Sequence, residues 1–140
     1  MRRTLSTLGA GMVVVTLAIA QLGVACADDL TRTVLMKKDL EGTPNKEVTV
    51  FVAQYKPGAR SGKHYHPGQE FIYVVSGHGR MEEAGKPPVD MAPGTELYFQ
   101  SDPKNPAYVH EAIDLGEGEG MKLLVVLITE KGQPLAIPAK

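Results

Sequence analysis

Two histidines two residues apart, His64 and His66, are followed four residues later by Glu70 at the head of an apolar run. On an extended strand side chains alternate between faces, so both imidazoles point the same way with Cα atoms roughly 6.6 Å apart. That separation lets both reach one ion through bonds of about 2 Å, and Glu70 adds a carboxylate. The spacing suits chelation, with two solvated histidines on an edge strand as the alternative that spacing alone leaves open. Two further histidines are present. His78 directly follows Ser76-Gly77 and reads as a solvated turn residue. His110 lies in the run Ala107 to Ile113, where it fits a strand histidine packed against Tyr108.

Such donors need rigid elements to aim them. Val48, Val50 and Val52 alternate with Thr49, Phe51 and Ala53, so residues 47–55 form a strand with two dissimilar faces, broken by Pro57-Gly58. Phe71 to Val75 is a second strand, closed by Ser76-Gly77, and further runs occupy 88–91, 95–100, 107–113 and 121–129. Short strands at regular spacing between Gly and Pro punctuation predict an all-β sandwich or barrel. The run from Met121 to Ile128 is apolar on both faces, as a central strand or a subunit-contact strand would be. No helical pattern of convincing length follows Asp28. With 140 residues, 15 Gly and 10 Pro, the chain is sized for one domain of tightly turned strands. Its 15 basic and 16 acidic groups give a formal charge of −1, without the basic footprint of a nucleic-acid or anionic-membrane binder.

The N-terminal residues read differently. Met1-Arg2-Arg3 is a short basic start, residues 9–25 are uncharged and mostly apolar, and Ala25-Cys26-Ala27 is a small-residue cleavage site before Asp28-Asp29. Residues 1–27 are therefore predicted to be a secretory signal peptide, leaving a mature domain at 28–140 in the periplasm or outside the cell. Cleavage there removes the sole cysteine, so the mature chain is thiol-free and mildly acidic. Retention of Cys26 as a lipid-bearing first residue is the alternative, and would put the protein on a membrane surface.

Reading outward from the histidines gives Gly58, His64-Tyr65-His66, Glu70 and Gly77 within GARSGKHYHPGQEFIYVVSG, and downstream come Gly85, Pro93-Gly94 and His110. These two stretches resemble the paired signatures of the cupin superfamily, over about residues 45–128. Two departures stand out: residues 101–106 look like an inserted loop, and Asp114 stands where an Asn often follows the second-signature histidine.

The resemblance implies a single cupin jelly-roll β-barrel of short antiparallel strands. It also implies one divalent transition-metal ion, Fe(II), Mn, Co, Ni, Cu or Zn, held by His64, His66, Glu70 and His110 with positions open for water or substrate. The expected function is a secreted metal-dependent oxygenase-like oxidoreductase acting on a small organic substrate. A non-catalytic cupin binding metal or a small ligand is the alternative, since the fold hosts many chemistries. Metal affinity is expected to fall below about pH 6.5, where imidazole gains a proton. Tyr65 is expected on the face away from the histidines and Arg60 in a solvated turn. Tyr98 and Tyr108 are expected to be core-packed, Met81, Met91 and Met121 to fill the core, and Glu82, Glu83, Glu117 and Glu119 to be solvated. Sheet edges and the apolar 121–128 strand lead to an expected homodimer.

Overall fold

Alternation at period two builds this protein's interior, and it is clearest where a strand carries one large inward face. The computed structural model describes residues 29–100 and 108–139. The expected signal peptide with Cys26 and the expected loop at 101–106 lie outside the described residues. Among the described residues, ten strands form two five-stranded antiparallel sheets, as the jelly-roll expectation requires. In chain order they are β1 (Leu30–Asp39), β2 (Lys46–Tyr55), β3 (His64–Tyr65), β4 (Gly68–Ser76) and β5 (Gly79–Glu83). There follow β6 (Val89–Met91), β7 (Glu96–Gln100), β8 (His110–Asp114), β9 (Lys122–Glu130) and β10 (Ile137–Pro138). One sheet runs β1-β2-β9-β4-β7 and the other β10-β3-β8-β5-β6.

Strand β2 turns Glu47, Thr49, Phe51, Ala53 and Tyr55 inward and leaves Val48, Val50 and Val52 half-buried outside. On β9, Leu123, Val125 and Leu127 join the core, while Leu124, Val126 and Ile128 face outward. Strand β9 pairs with β2 on one side and β4 on the other, so the central-strand reading holds. Its outer face, however, is only half-buried, because side neighbours rather than a second layer cover it. Strand β4 sends Glu70, Ile72 and Val74 inward and exposes Phe71, Tyr73 and Val75. Tyr98 lies opposite Phe71 in register and is 51% exposed, with ring centroids 4.8 Å apart, so it packs on the outer face rather than in the core. Tyr108 is likewise only partly buried, with the Lys86 ammonium 6.0 Å from its ring centroid. Met81, Met91 and Met121 are core residues, as expected.

The joints between strands depend on glycine and one carboxylate. Gly77 and Gly120 take φ of 82° and 90°, and a Cβ on Gly77 would sit 2.5 Å from the Gly120 carbonyl oxygen. A Cβ on Gly120 would overlap the Tyr55 carbonyl, beside the point where the Tyr55 N–H donates to the Met121 carbonyl at 2.8 Å. Asp114 accepts from the Gly58 N–H at 2.8 Å and the Gly116 N–H at 2.7 Å through one oxygen, tying two turns together. An Asn side-chain oxygen could accept the same pair of bonds, which is why Asp114 stands here without disturbing the fold.

Gly120→Ala should destabilise the domain by at least about 2 kcal/mol, because it adds left-handed backbone strain to a main-chain clash. Gly85→Ala, at φ 77° with open space around it, should cost only about 1 kcal/mol. Paired urea melts check this, and equal costs at the two positions would contradict it.

Candidate metal centre

His64 and His110 face each other directly across β3 and β8, and His66 sits just past the end of β3. Glu70 enters from β4 in the opposite sheet, so the site spans the barrel interior from both sheets. All four side chains are buried, between 2% and 7% exposed. The turn that joins His66 to Glu70 is tight: the Gly68 N–H donates to the His66 carbonyl at 2.9 Å, and a Cβ on Gly68 would overlap the Ile128 carbonyl. Gly68 thus lets β4 press onto β9 close enough to bring Glu70 to the histidines.

Each imidazole is held by a main-chain carbonyl. The His64 Nδ1–H donates to Gly62 at 2.8 Å, the His110 Nδ1–H to Tyr108 at 3.2 Å, and the His66 Nδ1–H to Leu135. A carbonyl only accepts, so each ring carries a proton on Nδ1, and a ring that is neutral presents a bare Nε2 lone pair. Those lone pairs converge. The Nε2 atoms of His64 and His66 are 3.1 Å apart, and the Glu70 oxygens lie 3.1 Å from His66 Nε2 and 3.3 Å from His110 Nε2. One ligand atom from each of the three imidazoles falls within 4.8 Å of the others. The Phe99 ring stacks on His110 at 4.4 Å between centroids and fixes its plane.

Electrostatics favour a cation in this space. Burial pushes His64 down to about 4, with the neighbouring His110 and His66 adding to the effect, and burial also lowers His110. The Glu70 Oε2 atom is buried without a hydrogen-bond partner. A buried carboxyl oxygen without a hydrogen-bond partner is costly unless a positive charge sits beside it. Three imidazole nitrogens within 4.8 Å of one another could hold a divalent ion with bonds of about 2 Å, and the Glu70 carboxyl lies beside two of them.

The cavity beside the donors is about 20 Å³, room for roughly one water, and its walls are Phe51, Ala53, Ile72, Met81, Ala112, Leu123 and Val125. Two polar residues that the sequence reading passed over, Arg32 and Tyr55, also line it. Tyr55 shares parity with Phe51 and Ala53 and was findable on that ground, whereas Arg32 lies on a strand with no alternation to read. The other candidates lie elsewhere. Tyr65 lines a separate cleft of about 570 Å³, on the face away from the histidines as expected. Arg60 forms a two-pronged pair with Glu111 at 3.0 and 2.7 Å outside the cavity, and holds that carboxyl below its usual range. His78 is bound at the surface by Asp90 at 2.7 Å, which raises its pKa.

Known proteins place this geometry in context. Residues 51–127 match a family model described as a cupin domain. A search of curated proteins finds no match. Among solved structures, a DMSP lyase from Ruegeria pomeroyi is similar with a TM-score of 0.60 and 19% identity over 89% of this chain. The match spans 59% of that lyase's length. A polyketide cyclase from Streptomyces resistomycificus gives 0.59 and 18% over 81% of this chain and 72% of its own. An oxalate decarboxylase variant from B. subtilis gives 0.52 and 23% over 66% of this chain and 24% of its own. At these identities the likeness is one of fold. The jelly-roll and the family match over more than half its length together make this chain a member of the cupin family.

Proposed function

We propose that this cupin holds one divalent transition-metal ion on His64, His66, Glu70 and His110 and acts as an oxygenase-like oxidoreductase on a small organic substrate. The observation that carries the metal assignment is the set of three carbonyl-held imidazoles whose bare Nε2 atoms meet a partnerless carboxylate oxygen. A bound ion supplies Lewis acidity or, as Fe(II), electrons for O₂ chemistry. The chain's own part is to fix the donors and to surround them with apolar walls that exclude bulk water. The lyase, cyclase and decarboxylase among similar structures show how many reactions this fold hosts, and the reaction class stays a proposal for this chain. The small cavity supports a second reading, a binding protein that holds metal or a small ligand without turning it over.

Export through residues 1–27 and self-association belong to the same proposal. Phe71, Tyr73, Val75 and Tyr98 are 42–51% exposed on neighbouring strands β4 and β7, a continuous apolar face suited to a second copy.

Anaerobic reconstitution with Fe(II) should give about one ion per chain. His64→Ala, His110→Ala and Glu70→Gln should each weaken retention at least about tenfold while the barrel stays folded. Catechol-like, flavonoid-like or small thiol substrates should then drive O₂ uptake that His66→Ala abolishes. Full metal content in the variants would remove the site, and tight ligand binding without O₂ uptake would favour the binding protein.

The lowered His64 value carries a pH signature. The unfolded chain binds a proton there near the ordinary 6.5, the folded metal-free chain only near 4, so falling pH across that window favours unfolding. Melting temperature of the metal-free protein should therefore drop from pH 7 to pH 4.5, and less steeply in His64→Ala. The window for His64 lies below the 6.5 that free imidazole would suggest. A pH-independent melting temperature would contradict the burial of a neutral His64.

Native mass spectrometry of the exported protein should find a dimer of chains beginning at Asp28, converted to monomers by Phe71→Glu. A lipid-bearing Cys26 or a monomeric wild type would overturn the corresponding part.

A further inference from the structure

Arg32 shares the cavity with the donor cluster, yet it belongs to neither the cluster nor the fold's ion pairs. It stands on β1 opposite Ala53 in register, and Ala53 faces the core, so the Arg32 stem lies on the inner face of the sheet. Strand β1 is the last strand on that side and Arg32 is solvent-exposed, which puts the guanidinium where the cavity meets water. Its charge reaches into the barrel, where it opposes the effect of burial on Tyr55. Among the described residues Arg32 has no acidic partner, whereas Arg60 pairs with Glu111 and Arg80 with Glu82.

A guanidinium is a fork of N–H donors that matches a carboxylate with two parallel bonds, and it is more weakly hydrated than an ammonium. Set at the entrance of a largely apolar cavity, and without an acidic partner among the described residues, such a fork is a receptor for an anion from solution. The cavity of about 20 Å³ takes no more than about one water, so a small acid sits at its mouth beside Arg32 rather than inside it. We infer that Arg32 is the recognition residue of this site and selects small organic acids. The substrate carboxylate rests on the guanidinium while the remainder of the molecule faces His64, His66, Glu70 and His110. This rests on the reading of those four residues as the substrate-facing centre, and it narrows the substrate class from any small organic molecule to a small carboxylate.

Zinc-loaded wild type, Arg32→Gln and Arg32→Lys, titrated calorimetrically with acetate, propionate and malonate and with acetamide and propionamide, test this. The carboxylates should bind wild type, at least tenfold more weakly Arg32→Gln, and with intermediate affinity Arg32→Lys, which keeps the charge and loses the fork. The amides should bind wild type more weakly than the carboxylates and be indifferent to both substitutions. Zinc content and melting temperature should match wild type, because Arg32 is exposed and bonds to no other side chain among the described residues. Equal carboxylate affinity in wild type and Arg32→Gln, amides binding as well as carboxylates, or no carboxylate binding at all would overturn the assignment. A wild-type chain that takes up no zinc would instead overturn the metal centre. The same titrations on the metal-free chain would still decide Arg32.

Discussion

Three main-chain carbonyls, at Gly62, Tyr108 and Leu135, each accept the Nδ1–H of one buried histidine. Each donation leaves an Nε2 lone pair with nowhere to point but the centre of the barrel. The three carbonyls come from segments far apart in the chain, just before β3, just before β8 and just before β10. Closing the barrel is what brings them together. The direct pairing of His64 with His110 across β3 and β8 sets the spacing of two rings, and the pairing of β10 with β3 brings Leu135 to the third. Outer-shell bonds of this kind fix the tautomer and aim of a metal-binding imidazole, so the backbone holds all three rings as the proposed centre requires.

The rest of the interior tolerates this cluster at some cost to stability. Glu70 and the three histidines sit among Phe51, Ile72, Leu123, Val125 and Phe99, where unpaired polar atoms are unfavourable. A proton is a poor remedy, since burial holds His64 and His110 below their ordinary values. The apolar faces of β2, β4 and β9, with Met81, Met91 and Met121, supply the compensating burial. The arrangement is what a preorganised site requires: a rigid, dry frame that keeps donors in place whether or not they are satisfied.

Much of this was legible in the sequence. The strands around 47–55, 71–75 and 121–129 carry enough inward apolar residues to be read, and His64-x-His66 on an extended chain needs only period-two geometry. The contribution of His110 could not come from spacing, because β3 and β8 meet only in the folded barrel; the family signature supplied it. Strand β1 escaped notice because the sheet exposes both its faces and its sequence, LTRTVLMKKD, has no alternation to impose one. Arg32 escaped with it. Tyr98 was expected inside because aromatic residues usually are, yet register with Phe71 places it on the outer face. The two-residue strands β3 and β10 are too short to carry a pattern at all, although they position His64 and Leu135.

The proposed centre requires the backbone to hold His64, His66 and His110 with Nδ1 protonated and Nε2 turned to one ion. Long-range ¹H–¹⁵N correlation spectra of the histidine rings in zinc-loaded protein at pH 7 read each tautomer directly. Three rings should show a protonated Nδ1 and a metal-shifted Nε2, with His78 outside that set. A proton on Nε2 of His64, His66 or His110, or a doubly protonated ring among them, would contradict the proposed centre.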